Sequence, residues 1–385
     1  MMKKKIKGRV ILFAVLFFVY FILAARPVPR ETILTPKWIN SLESDNTINL
    51  NEAARSGNSQ THLFPFTLGY HFGYIDTSGQ FAVNKIKTGD IYLSENMWTE
   101  HPPEPSVIEI KNIEGETIIN IDNPMGYPFL LDNRVFIVGS EQNSLSEIDR
   151  NGNVLWTYEF GSILIDIDAA AGLVAAATIE GIVEILNTEG KRVYIFQPGG
   201  SRQEIIYGCA ISRDGTRIGI ISGHDPQRFL LLEKFGVDES EYRVVYHESL
   251  GRGFIRSVRI SFIDQDRRVV YERQGGINCY NIRSRRSIFI PLEGEVAAID
   301  NSGDRGMMFL ITKNMYQPMQ KELIGIRLLR DRRILNSQSG NIPTVFLKAP
   351  FKSEDVYLGR RQAGSGSVLV VGGGAALIAF DLEEK

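Results

Sequence analysis

The sequence has few of the residues on which disulfide-rich scaffolds and many enzymes are built. Only two cysteines, Cys209 and Cys279, occur in 385 residues. A disulfide framework is not supported, and because both cysteines adjoin strand-forming residues, we expect them to be buried free thiols. The five histidines show no metal-ligand spacing, and no Gly-x-Ser-x-Gly nucleophile elbow is present.

Excess charge of one sign and amphipathic helices are also missing. The 43 Lys and Arg residues against 45 Asp and Glu residues give a net charge of −2, which excludes a strongly nucleic-acid-binding chain. From about residue 63 onward the pattern is strand and turn, so the sequence predicts an all-β fold. The glycines at 372–374 resemble the start of a dinucleotide fold, but only 11 residues follow Gly374. A tight turn between two strands is therefore the better interpretation.

One long apolar run is present, and it lies near the N-terminus. Residues 10–25 are uncharged and follow five Lys and Arg residues within the basic tail 1–9. This asymmetry predicts a transmembrane signal-anchor helix over 10–25, a cytoplasmic tail, and a domain on the periplasmic side of the inner membrane. The alternative is a signal peptide cleaved after Ala25. The polar, proline-containing residues 26–62 are predicted to form a stalk or linker.

The rest of the chain is organised around a recurring strand–turn–strand pattern. Residues 145–160, LSEIDRNGNVLWTYEF, indicate two strands joined at a turn in which Asp and Asn bond to nearby amides and Gly152 supplies positive φ. Similar hairpins turn at Gly79, Gly115 and Gly190, so the four turns are 36, 37 and 38 residues apart. A fixed period of this size predicts a β-propeller.

The hairpin count predicts seven blades over residues 63–385, with six or eight as the alternatives because insertions blur the period after residue 200. Residues 355–382 supply only two or three strands for the last blade. In a closed propeller the missing outer strand comes from the other terminus. We therefore expect the strands within residues 64–86 to complete that blade.

Three stretches resemble repeats of known propeller families. Residues 209–223, CAISRDGTRIGIISG, resemble a WD40 segment, residues 148–160 resemble a PQQ-like quinoprotein repeat, and residues 73–83 resemble a fragment of a WG repeat. No Trp-Asp dipeptide closes any repeat, and only one repeat carries the quinoprotein tryptophan, Trp156. The resemblance implies the β-propeller superfamily and no particular member. The likeness to quinoprotein-like propellers implies two kinds of relative: non-enzymatic members that act as assembly platforms for envelope proteins, and enzymatic members that oxidise alcohols or sugars with a quinone cofactor.

Charge is distributed unevenly along the repeats. Residues 252–286 contain nine arginines and no lysine, and residues 95–122 contain seven acidic residues against one lysine. Because guanidinium groups suit bidentate recognition of carboxylate or phosphate, this arginine-rich segment predicts a patch for an anionic partner. The alternative is strand-edge charge that blocks aggregation. The candidate residues are Arg252, Arg256, Arg259, Arg283, Arg285 and Arg286.

These features predict a protein-binding or scaffolding module of the cell envelope that has no catalytic activity and no bound cofactor. The expected partners are envelope proteins or an anionic surface, and not nucleic acid. The alternative is a propeller enzyme, either a quinoprotein-like dehydrogenase or a metal-dependent lactonase or hydrolase. Asp166 and Asp168 alternate on one strand and so share a side. We expect them to be hydrated or bonded to blade amides at the channel mouth.

Overall fold

The fold consists of antiparallel sheets built from consecutive hairpins. The computed structural model describes residues 13–20, 32–43, 63–236, 241–300, 306–328, 343–363 and 366–384. Across these ranges 31 strands form eight sheets, seven of four strands and one of three. The predicted propeller is confirmed, and the predicted number of seven blades is wrong, since there are eight.

The strands of the first four blades are short and follow one another closely, and β1 precedes them. They are β1 (Thr32–Ser41), β2 (Phe64–Leu68), β3 (His71–Ile75), β4 (Phe81–Ile86), β5 (Asp90–Leu93), β6 (Met97–His101), β7 (Val107–Asn112), β8 (Thr117–Asp122), β9 (Gly126–Leu131), β10 (Arg134–Gly139), β11 (Ser144–Ile148), β12 (Val154–Glu159), β13 (Leu164–Ala170), β14 (Leu173–Thr178), β15 (Val183–Leu186) and β16 (Arg192–Phe196).

The strands of the last four blades vary in length, from four residues in β21 to ten in β20. They are β17 (Gln203–Ile211), β18 (Arg217–His224), β19 (Gln227–Lys234), β20 (Tyr242–Gly251), β21 (Ile260–Ile263), β22 (Arg268–Arg273), β23 (Gly276–Asn281), β24 (Arg286–Pro291), β25 (Glu295–Ile299), β26 (Met307–Lys313), β27 (Gln320–Arg327), β28 (Thr344–Lys352), β29 (Val356–Ala363), β30 (Gly366–Gly373) and β31 (Ala376–Glu384).

The burial pattern of each strand follows from its place in a blade. The second strand of the fifth blade, β18, is buried from Ile218 to Gly223 because both of its faces pack on neighbouring blades. An outer strand such as β12 is partly or fully exposed at every position. Packing between blades therefore forms the core, as where Ile263 and Val270 of the sixth blade pack with residues of the seventh.

The ring is closed by the N-terminal strand. The eighth blade has the order β29-β30-β31-β1, and β1 pairs antiparallel with β31 from Thr32↔Glu384 to Ser41↔Ala376. The expected mode of closure is therefore present, but the donor differs from the predicted one. Residues 64–86 form the first blade and do not complete the last, which accounts for the eighth blade. The predicted linker over 26–62 includes β1, so part of it belongs to the propeller.

The three strands of the first blade correspond to the second, third and fourth strands of the others. Trp156 lies on the outer strand β12 and donates its Nε1–H to the carbonyl of Thr188, in the turn between the third and fourth strands of the next blade. Trp38 of the outer strand β1 makes the same bond to Thr77. The turn at Gly79 is therefore a third-to-fourth-strand turn, as are those at Gly115, Gly152 and Gly190, which explains the regular spacing.

The two faces of the propeller carry different connections. We call the turn face the side with the turns between strands one and two and between strands three and four. We call the loop face the side with the turns between strands two and three and the crossovers between blades. Each strand reverses the chain direction, so this division follows from the hairpin order alone.

The N-terminal helix differs from its prediction. A helix covers residues 13–20, and no helix among the described residues is long and apolar enough to span a membrane. The prediction of a transmembrane helix over 10–25, and with it single-pass inner-membrane localisation, is therefore wrong on this structure. Residues 1–12 and 21–31, which include the predicted cytoplasmic tail, lie outside the described residues.

Candidate functional site

The six candidate arginines do not form one patch. Arg252, Arg256 and Arg259 lie in the crossover between the fifth and sixth blades, on the loop face. The other three lie in or beside the third-to-fourth-strand turn of the sixth blade, on the turn face; they are Arg283, Arg285 and Arg286. The alternation of side chains along a strand does not show this separation, because the two groups of arginines lie on opposite faces of the propeller.

Two of the loop-face arginines are engaged within the protein. Arg256 donates through both terminal nitrogens to Glu272, at 2.8 and 3.1 Å, and its Nε lies 3.5 Å from Glu295. Arg259 donates to the carbonyl of Ala297 at 2.7 Å. Since the Glu272 side chain is only 2% exposed, the Arg256 guanidinium neutralises a buried carboxylate. Its function is structural, whereas Arg252 is exposed and has no such partner among the described residues.

The acidic segment 95–122 forms the second blade. In a closed ring of eight blades, the second and sixth blades lie on opposite sides of the axis. The arginine-rich and acidic segments are therefore on opposite sides of the ring. Some of this charge is engaged locally, because Glu100 accepts hydrogen bonds from Thr88 and Gly89, and Glu95 pairs with Arg361 at 2.6 Å.

The central channel contains a polar cleft of about 860 Å³ that is lined by residues of the third to seventh blades. Its acidic residues concentrate toward the turn face and its basic residues toward the loop face. The charged lining consists of Asp132, Asp166, Asp168, Arg213, Arg256, Arg259, Asp266, Glu295 and Lys313. The sequence singled out four of these residues, Asp166 and Asp168 as a carboxylate pair and Arg256 and Arg259 as members of the arginine-rich segment.

Both aspartates are bonded to blade amides, as expected. Asp166 accepts the Cys209 N–H at 2.8 Å, and Asp168 accepts the Ile211 N–H at 2.9 Å, so each ties the fourth blade to the fifth. Burial raises the pKa of Asp166 to about 6, despite the amide bond, and burial also raises the pKa of Asp168. Neighbouring Cys209 is a buried free thiol, as predicted, and burial raises its pKa well above the usual range.

The loop face carries a set of exposed apolar residues that sequence reasoning missed. They lie in the crossovers and second-to-third-strand turns of most blades, where polar residues are the usual choice. Their exposed fractions range from 44% at Ile179 to 94% at Tyr316. We call this set the apolar loop residues; its members are Tyr70, Met125, Ile163, Ile179, Ile255, Met315, Tyr316 and Met319.

The turn face contrasts with the loop face. Its turns are Asx-type and glycine turns, such as that at Asp149, whose carboxylate accepts the Asn151 and Asn153 amides at 2.8 Å. Among its described turn residues, Phe235 is the single large apolar side chain that is more than about a third exposed. Isolated apolar residues in loops carry little signal in a sequence. The apolar loop residues become a set only when the eight blades place them on one face.

Within the ranges that the structure describes, no three His, Cys, Asp or Glu side chains converge in an arrangement suited to a metal ion. The alternative function as a metal-dependent lactonase or hydrolase requires such a set, and the quinoprotein-like repeat is marked by a tryptophan, which only the repeat with Trp156 carries. Trp38, Trp98 and Trp156 lie in β1, β6 and β12 of three different blades.

Comparison with known proteins agrees with this architecture. Residues 1–360 match the sequence profile of a family described as beta-propeller protein. An uncharacterized protein of Treponema pallidum (strain Nichols) is 27% identical over 299 residues, which cover 77% of this chain and 78% of that protein. The crystal structure of BamB from Moraxella catarrhalis is similar in fold, with a TM-score of 0.53 at 10% identity, covering 91% of this chain and 100% of BamB.

A computationally designed protein, Ika8, gives a TM-score of 0.55 at 11% identity, covering 84% of this chain and 98% of Ika8. Likeness at such low identity reports the fold and not the activity, because propellers host many unrelated functions. The family match extends over nearly the whole chain and accords with the eight-bladed ring. The chain therefore belongs to the β-propeller protein family.

Proposed function

We infer that the protein is a protein-interaction module that binds a partner protein through its loop face. The observation that carries this inference is the concentration of exposed apolar side chains on that face, against the single residue Phe235 among the described turns of the other. Exposing such side chains to water is unfavourable in the free protein. Their burial against a partner would recover that free energy.

The exposed apolar side chains are densest in the second-to-third-strand turn of the seventh blade. Met315, Tyr316 and Met319 lie within five residues between β26 and β27 and are 64%, 94% and 53% exposed. Tyrosine and methionine are enriched where proteins recognise one another, because tyrosine combines apolar area with a polar tip and methionine adapts its shape. Asn314 accepts the Tyr316 amide at 2.8 Å and the Gln317 amide at 3.1 Å, which holds the turn in a defined conformation.

Charge on the same face would direct the partner. Arg252 and Arg259 are exposed near Ile255, which is 82% exposed. Exposed charges at an interface rim affect association rate and its salt dependence more than affinity. An acidic rim on the partner therefore suits this crossover, and the apolar contacts would supply most of the affinity.

The test is a quantitative capture experiment with the full chain as bait. The triple variant Met315→Ser, Tyr316→Ser, Met319→Ser should keep its melting temperature, because all three side chains are exposed, and should lose at least about tenfold in captured partner. The matched control is Phe235→Ser on the turn face, which should capture as much as the parent protein. Equal capture by the triple variant and the parent would refute the assignment to the loop face.

A further inference from the structure

A second cleft, separate from the loop face, opens on the turn face between the fifth and sixth blades. Its volume is about 570 Å³, which lies in the range of small-molecule sites. Leu231 and Val245 of the fifth blade and Ile282 of the sixth give it an apolar wall. The turns that follow β21 and β23 form its rim.

Most charges in this cleft are already paired with one another. Arg217 pairs with Glu233 at 2.7 Å, and Arg267 pairs with Asp264 at 2.6 Å. Arg268 lies 3.4 Å from the other oxygen of Asp264. The other two carboxylates accept hydrogen bonds from nearby groups. Asp214 accepts them from the Ser212 hydroxyl and the Thr216 amide, and Asp266 accepts one from the Arg213 amide.

Two further arginines line the cleft without such partners. Arg283 and Arg285 are exposed at the rim, and neither forms an ion pair or hydrogen bond with the residues that the structure describes. Five arginines and four acids thus line the cleft, and the uncompensated positive charge lies at its mouth. Guanidinium groups in this setting favour carboxylate or phosphate, which each can bind through two parallel hydrogen bonds.

A buried tyrosine supplies a further donor. Tyr280 is 1% exposed, and its ring stacks on Tyr246 with centroids 4.2 Å apart. Its hydroxyl lines the cleft and makes no hydrogen bond with the described residues. An anion held by Arg285, which lines the same cleft, would offer this hydroxyl a hydrogen-bond acceptor.

The backbone around the cleft is conformationally unusual. Asp264, Gln265 and Asp266 are three consecutive residues with positive φ, between 53° and 58°, and Arg285 has a φ of 54°. This region is uncommon for residues other than glycine, although Asp adopts it more readily than Gln or Arg does. Such strain concentrates at binding sites, where it aims side chains that ordinary turns would point elsewhere. Both rim turns of one cleft share this property.

We propose that this turn-face cleft binds a small molecule that carries a phosphate or carboxylate on an apolar body. Arg283 and Arg285 bind the anionic group and the Tyr280 hydroxyl donates to it. The apolar body packs on Leu231, Val245 and Ile282. This site is independent of protein binding at the loop face, which lies on the other side of the ring.

The experiment is calorimetric titration of the full chain with phenyl phosphate, benzoate, inorganic phosphate and uncharged benzyl alcohol as probes. The cleft should bind phenyl phosphate or benzoate more tightly than inorganic phosphate, and benzyl alcohol not measurably. The variant Arg283→Ser, Arg285→Ser should weaken binding at least about tenfold, because each charge-assisted bond contributes about that factor. Tyr280→Phe keeps the ring and should weaken binding about threefold or more.

The matched controls are Arg286→Ser and Arg252→Ser, which remove the same charge outside the cleft and should bind as the parent does. Absence of binding by every probe at millimolar concentration would overturn the proposal. So would equal affinity in the parent and the double variant, or equal loss in Arg286→Ser, which would show a diffuse charge effect. Because these probes do not involve the partner protein, failure here would leave the loop-face assignment standing, and the reverse also holds.

Discussion

At the residue scale, the sequence identified chemistry correctly where the chemistry is local. The turn aspartates and glycines that it assigned are in turns, and Asp166 and Asp168 bond to neighbouring amides. It failed where a side chain's function depends on distant residues. The sequence assigns Arg256 to a partner-binding patch. In the structure Arg256 instead pairs with Glu272 and Glu295, which lie 16 or more positions away in the chain. Only folding brings these groups together.

The pKa of Asp166 gives a pH-dependent prediction. Burial raises that pKa to about 6 from the usual 3.8, so between about pH 4 and pH 6 the folded state binds more protons than the unfolded state. The free energy of unfolding therefore falls as pH rises through this window, and the full destabilisation by the buried carboxylate is present above pH 6. Asp166→Asn should raise the free energy of unfolding by about 1–2 kcal/mol at pH 8 and leave it unchanged near pH 4.

Urea denaturation at the two pH values measures this difference, and Asp149→Asn provides the control of opposite sign. The pKa of Asp149 is lowered by the hydrogen bond from the Asn153 amide. Its neutralisation should therefore reduce stability at pH 8. A gain in stability from both substitutions would indicate a general response to lost negative charge, and would contradict the assignment to burial.

At the element scale, one recurring contact joins neighbouring blades. A tryptophan on an outer strand covers the glycine turn of the next blade, as Trp156 covers Gly190 and Trp38 covers Gly79. The sequence predicted these hairpins and their spacing from turn chemistry and β-branched flanks. It did not predict the tryptophan contact, because it placed Trp38 in a linker and assigned residues 64–86 to the last blade.

This contact predicts a specific cost for substitution of the glycine. A methyl group at Gly190 would overlap the Trp156 ring, and the φ of 70° disfavours any other residue. Gly190→Ala should therefore lower the free energy of unfolding by about 2–4 kcal/mol. Gly374→Ala is the matched control, since its φ is 61° but nothing lies within 4 Å of the added carbon, and it should cost about 1 kcal/mol.

Thermal unfolding of the two variants separates packing from backbone strain. The two glycines have similar φ values, so the difference between their costs reports the overlap with Trp156. Equal destabilisation would mean that the tryptophan contact contributes nothing beyond the turn conformation.

At the scale of the whole molecule, periodicity was enough for the fold but not for the blade count. The period is visible only from the turn at Gly79 to that at Gly190, and longer strands and connections obscure it afterwards. Closure depends on β1 pairing with β31 across more than 330 positions, which no local pattern reveals. The loop face is equally hidden, because its apolar residues are scattered singly along the sequence.

Closure predicts that β1 is needed for the stability of the whole ring. A variant that lacks residues 1–41 should expose the edge of β31 and the apolar side chains that pack with Trp38, and should aggregate or melt at least about 10 °C lower. The control lacks residues 1–31 and keeps β1, so it should melt within a few degrees of the parent. A full melting temperature without β1 would contradict the closure described here.

Binding of a partner protein at the loop face can be measured by site-specific photo-crosslinking. A photoreactive amino acid is placed at Tyr316 on the loop face or at Phe235 on the turn face, in the cell that produces the protein. We expect a discrete crosslinked adduct from position 316 and none from position 235. The adduct should be lost when Met315 and Met319 are changed to serine. An adduct from position 235 with none from position 316 would contradict binding at the loop face.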